Sequence, residues 1–192
     1  SDANYTYGQA ERDMESLEWR MTDEFQRRLF LSLSSTEAIL YGNPRQGWTE
    51  VIARWPETID DVIESNKCFA LGRFPAAVFH SLQIVEIGLI RLGEFIGVND
   101  PKTGWNATIK ALEKIAIKTD YKDLSNIHQE HREFLKQVYG TSVALNDAWR
   151  NKVSHAQGKF ELLTRDFSQE VATEILVASR GFMRRLAEEL PT

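Results

Sequence analysis

Between Pro75 and Gly97 the chain places apolar side chains at Val78, Phe79, Leu82, Val85, Leu89 and Leu92, more than the single stripe of a surface helix needs. A helix apolar over so much of its circumference has to be enclosed by others. This segment therefore sets the architecture: a central helix at about 74–97 in a helical bundle. Pro75 suits its first turn, where a missing N–H costs nothing, and Gly97 suits the position after its last.

The flanking segments carry the same kind of punctuation. Pro56 opens a helix of about 57–71 that Gly72 closes, and Asn99-Asp100-Pro101 breaks the chain after the central helix. A shorter helix is expected at about 105–118. A third long one is expected at about 125–153, with Ser125 as its N-cap and Gly158 beyond its end. The last helix, about 164–189, would bury Phe167, Val171, Ile175, Phe182 and Leu186, with Pro191 past its end. The fold class is all-α: an up-down helical bundle over residues 57–192, preceded by an N-terminal extension or cap over residues 1–56. In that cap, residues 10–27 read as an amphipathic helix, because Leu17, Met21, Phe25 and Leu29 recur at spacing four. Leu29 to Leu33 could form a short strand, and Gly42-Asn43-Pro44 with Gly47 mark a loop.

The totals narrow the function classes. The 23 basic and 28 acidic residues leave a net charge of −5, so a general nucleic-acid coat is excluded and any RNA contact needs a local basic patch. No uncharged apolar run approaches the length of a membrane span, and Ser1-Asp2-Ala3-Asn4 is polar, without an apolar signal region. The single cysteine, Cys68, cannot form an internal disulfide; it fits a buried, inert thiol in a reducing cytoplasm. Neither a nucleotide-cradling glycine loop nor a nucleophile elbow occurs, and no cofactor is expected. His128 and His131, at i,i+3, could offer a metal two imidazoles, but the Glu-x-x-His pairs of di-iron bundles are missing, so a surface role is favoured.

One stretch combines side chains suited to phosphoryl chemistry. In Ala148-Trp149-Arg150-Asn151-Lys152-Val153-Ser154-His155, an arginine supplies a permanent fork-shaped charge, an asparagine a neutral amide, and a histidine a proton carrier near physiological pH. Arg-Asn-x-x-x-His arises by chance in roughly one chain in a hundred of this composition, so the pattern has weight but not enough alone. On a helix, Asn151 and His155 are i,i+4 neighbours, so the amide can orient the imidazole. Arg150 and His155 are roughly 140° apart on a straight helix. Aiming both at one phosphate needs a helix end, a long reach, or a second copy of the motif opposite, which favours a dimer. The plainer alternative is that both cations satisfy carbonyls at a helix C-terminus. Glu86, in a largely apolar helix, needs a partner, either Arg150 or His155 or some other arginine. His80 on the same helix reads as a satisfied core histidine. Lys152 and Lys159 would form a rim that attracts phosphate or is simply solvated.

With these residues in place, the chain resembles the HEPN superfamily, whose signature is Arg-(polar)-x-x-x-His near the end of a bundle helix. The resemblance extends to Cys68-Phe69-Ala70-Leu71-Gly72-Arg73-Phe74-Pro75-Ala76-Ala77-Val78-Phe79-His80 and Glu86-Ile87-Gly88-Leu89, similar to the helix pair that opens an uncharacterised bacterial branch, and it spans residues 57–190. It implies that helices 74–97 and 125–153 pack together, and that two signature helices face each other across a homodimer cleft. It also implies a metal-independent endoribonuclease with Arg150, Asn151 and His155 as its catalytic residues and Glu86 and Lys152 as supporting ones. RNA would be the substrate, with no metal and no membrane. Related proteins act as toxins with an antitoxin partner, in phage-defence complexes or in RNA processing. Others have lost catalysis and bind RNA, nucleotides or proteins, so membership alone leaves that alternative open.

Overall fold

The computed structural model describes residues 6–28, 30–147 and 167–191. Among them are nine α-helices: α1 (Tyr7–Gln26), α2 (Ser35–Gly42), α3 (Thr49–Arg54), α4 (Ile59–Ala70), α5 (Phe74–Phe95), α6 (Trp105–Glu113), α7 (Asn126–Glu130), α8 (Arg132–Leu145) and α9 (Gln169–Glu189). The fold is all-α, with no strand among the described residues. Phe30 to Ser34 are irregular, which corrects the short strand expected around Leu29–Leu33. Five residues without a neighbouring strand leave a ladder's hydrogen bonds unmade.

The chain divides into two compact units, residues 1–34 and 35–192. In the first, α1 starts at a capping box: the Gln9 amide donates to Thr6 Oγ1, and the Thr6 amide donates to Gln9 Oε1 at 2.8 Å. Arg27 pairs with Asp23 and Arg28 with Glu24, each one turn back. No residue of α1 is buried.

The second unit is a bundle around α5. Val78, Ile84, Val85 and Leu92 of that helix are fully enclosed, with Leu82 and Leu89 nearly so. By length and mean hydropathy α5 could cross a membrane, yet 56% of its most apolar window is buried in the bundle, as a core helix requires. It packs mainly against α4 and α9. The α4–α5 hairpin turns at Gly72, whose φ of +68° is the left-handed region glycine reaches freely. There the Arg73 amide donates to the Cys68 carbonyl at 2.8 Å and the Gly72 amide to the Phe69 carbonyl at 3.0 Å, closing α4 in a Schellman motif. Gly88 lets α5 and α9 approach closely: a Cβ there would lie 2.3 Å from the Met183 sulfur and 2.9 Å from Leu186 Cδ1.

Leu135, Val138 and Leu145 of α8 enter the same core as the α5 residues. Among the described residues α8 packs mainly against α6, the Lys114–Lys118 segment that follows α6, and α9. Helix α5 is not among its main partners, so the direct packing of these two helices expected from the sequence is not seen there, and the His131 ring ahead of α8 stands edge-on to Phe95 at 5.4 Å. The single helix expected from residue 125 is thus two. Ser125 does cap it, accepting from the His128 amide, but the helix breaks at His131, where the Arg132 guanidinium donates to the Thr119 carbonyl. The segment expected at 105–118 is α6 followed by a π-turn over Lys114–Lys118, closed by the Thr119 amide on the Lys114 carbonyl at 2.9 Å. Ahead of α4, Trp48, Val51 and Trp55 are buried in the core. Arg54 ties α3 to the end of α9, donating to the carbonyls of Ala187 at 2.8 Å and of Leu190 and Pro191 at 2.5 Å.

Candidate functional site

Arg150, Asn151, Lys152, His155 and Lys159 lie outside the described residues. The chain on either side of them is described, and both ends are anchored in the core. On the approach, Val138, Ser142 and Leu145 recur at spacings of four and three and form the buried face of α8; Ser142 Oγ donates back to the Val138 carbonyl at 2.7 Å. The helix then passes into π geometry at Asn146 and Asp147. Asn146 is buried and donates from Nδ2 to Asp147 Oδ1 at 2.9 Å, while its Oδ1 has no hydrogen-bond partner among the described residues. On the far side Phe167 is 1% exposed, and Ser168 caps α9 by accepting from the Val171 amide. The Arg-Asn-x-x-x-His segment is therefore bracketed in sequence by two buried anchors, Leu145 and Phe167.

Glu86 is half-buried on α5 and makes no hydrogen bond or ion pair among the described residues. An ion pair to one of the described arginines, the alternative raised by the sequence, is thus not made. The His80 side chain is satisfied as expected, and the sequence missed its partner. Its Nδ1 lies 2.7 Å from Asp61 Oδ1, both side chains being about one quarter exposed. The α4–α5 hairpin brings the two groups together across 19 residues.

His128 and His131 are half-buried and share one aromatic seat, the Phe95 ring, at 6.3 and 5.4 Å. Burial pushes the His128 imidazole below the ordinary histidine range, and the neighbouring His131 pushes it the same way. Among the described residues no cluster of three histidine, cysteine or acidic side chains is arranged to hold a metal. Cys68 is buried, and burial raises its thiol pKa, with Glu64 adding to the effect and Arg73 opposing it, so the reactive thiolate is disfavoured.

Among the local groups of cations on the described surface are Lys110, Lys114 and Lys118, at spacings of four, and the exposed Arg180, Arg184 and Arg185 of α9. The last two line an open groove of about 580 Å³ between α8 and α9, together with Thr141, Gly181, Glu188 and Glu189. Arg184 lies 3.5 Å from Glu188, so the groove is of mixed charge.

The class defined by this fold is the all-α helical bundle. Comparison with family models, with curated proteins and with solved structures gave no match.

Proposed function

We propose that the chain is a metal-independent endoribonuclease of HEPN type, acting as a homodimer on RNA. The observation that carries this reading is the Arg150-Asn151-x-x-x-His155 motif, set in the sequence of an all-helical bundle. In this mechanism one protomer's His155 takes the proton from the ribose 2′-hydroxyl next to the scissile phosphate. The 2′-oxygen attacks phosphorus, the bond to the 5′-oxygen breaks, and the second protomer's His155 protonates the leaving oxygen. The products are a 2′,3′-cyclic phosphate and a 5′-hydroxyl. Arg150 stabilises charge growing on the phosphoryl oxygens, and Asn151 holds the imidazole or a phosphate oxygen. Glu86 and Lys152 are the supporting residues.

The competing reading is a catalytically silent module that binds RNA, a nucleotide or a protein partner. The net charge of −5 and the mixed-charge groove weigh against the RNA readings and favour its protein-partner form. The deciding experiment is RNA cleavage in EDTA by wild type, Arg150→Ala and His155→Ala, with end-group analysis. Cleavage that leaves cyclic phosphate ends and is lost in both variants supports the enzyme. Equal activity in all three removes these residues from the mechanism, and retention of RNA without turnover supports the binding module.

A further inference from the structure

Two imidazoles share one phenyl ring where α7 meets α5. The helix has five residues, too few to hold its shape alone, and none of them is buried. Asn126, Ile127 and Glu130 are exposed, which leaves His128 and Gln129 as its half-buried side chains. Gln129 is engaged locally: its Nε2 donates to the Leu124 carbonyl at 2.9 Å, just ahead of the helix. The ring contacts with α5 come from His128 and from His131, which follows the helix, at 6.3 and 5.4 Å from the Phe95 ring. His131 also stands 6.4 Å from the Phe134 ring of α8. Leu124 and Phe134 are buried on either side, so α7 is a short flap between two anchors, and its seat is built from groups that titrate.

Neutral imidazoles pack against a phenyl ring as aromatic groups, but two imidazoliums would put like charges on one half-buried seat. A single phenyl ring cannot replace the hydration that both would lose. Among the described residues neither ring is paired with a carboxylate; His80 is the histidine that is. Of the acids on the surrounding elements, Glu94 pairs with Arg91, Glu133 pairs with Lys136, Asp100 accepts from the Lys102 amide, and Asp123 and Glu130 are exposed. Of the cations, Arg132 donates to the Thr119 carbonyl and lies over the Tyr121 ring, and Lys102 and Lys122 are exposed. Burial and His131 both hold the His128 imidazole below the ordinary histidine range. A lowered value means that protons favour the open chain, so the seat weakens as pH falls below about 6.5. From this cluster and the helix break at His131 we infer that α7 is an acid-released flap: when His128 and His131 take up protons, α7 leaves its seat on Phe95 while the bundle of α4, α5 and α9 stays folded. The inference is independent of the ribonuclease reading.

The test is NOE spectroscopy of the full chain from about pH 7.5 down to about pH 4.5, with the imidazole Hε1 shifts reporting protonation. At the upper end, cross-peaks join the His128 and His131 rings to the Phe95 ring. Once both imidazoles are charged these are lost, while cross-peaks between Gly88 and the Leu186 methyls persist and report the intact contact of α5 with α9. In the double variant His128→Leu, His131→Leu the seat no longer titrates, so the new methyl groups keep their cross-peaks to Phe95 at the acid end. Rings that stay seated at about pH 4.5, or that give no cross-peak to Phe95 at about pH 7.5, overturn the inference. Loss of the Gly88–Leu186 cross-peaks together with those to Phe95 is global acid unfolding and overturns it as well. An equal acid loss in the double variant does the same, since the opening would not depend on the two histidines.

Discussion

Gly88 on α5 and Met183 on α9 approach so closely that a single added methyl at Gly88 would lie 2.3 Å from the Met183 sulfur. Met183 is fully buried, so its side chain has little room to swing aside. Gly88→Ala is expected to destabilise the bundle by about 1–3 kcal/mol through overpacking. Adding Met183→Ala should recover part of that loss, because the removed side chain makes room for the methyl. Urea unfolding of the two single variants and the double variant measures the coupling. Additive effects would mean that the two positions do not compete for space.

Arg54 donates to three carbonyls at the end of α9, where backbone acceptors lack helical partners. Arg54→Ala should cost about 2 kcal/mol, since charge-assisted bonds are lost and partly buried carbonyls are left unpaired. Arg54→Lys should recover only a fraction, because an ammonium cannot span the three acceptors as the planar fork does. Amide exchange in the last turn of α9, read beside thermal unfolding, checks this. Unchanged protection in Arg54→Ala would remove the residue from the anchoring role.

His128 has a folded-state pKa below that of the unfolded chain, so the unfolded chain takes up its proton first as pH falls. The contribution to stability is complete above about pH 6.5, the ordinary histidine value, and is lost as pH drops through the lower folded value. His128→Gln should therefore flatten the stability profile just below pH 6.5. His131→Gln should bring the His128 pKa part of the way back by removing the like charge. Denaturant midpoints across pH 5 to 7.5 read the first effect, and NMR titration reads the second. A His128→Gln profile as steep as wild type would count against it.

The ribonuclease reading carries its own pH signature. With one His155 acting as base and the other as acid, single-turnover cleavage should follow a bell-shaped pH profile within the titration range of histidine. Adding an excess of His155→Ala chains to wild type should lower the activity of the wild-type chains, since each mixed dimer keeps one His155 where the mechanism uses two. Activity unchanged by the added chains would speak against a shared cleft.

Local signals carried much of this fold. Pro75, Gly72 and Ser125 act within one helical turn of themselves, and each stands where its local chemistry puts it: in the first turn of α5, at the close of α4 and at the cap of α7. The apolar surplus of residues 78–92 likewise marks α5 as the enclosed helix without reference to any neighbour. The Arg150, Asn151 and His155 motif is legible in sequence alone, as is the reason Glu86 would need a partner. Other features needed the packed chain. Asp61 meets His80, and Arg54 meets Leu190, only after helices far apart in sequence dock. The break at His131 is invisible to helical periodicity, because it coincides with the seating of that ring on Phe95 and of Arg132 on the Thr119 carbonyl. The sequence assigns Trp48, Val51 and Trp55 to a cap; their place in the core depends on the packing of α3 against α9. A residue's own turn or cap is decided by its immediate neighbours, whereas its partner across the bundle is decided by which faces compete to be buried.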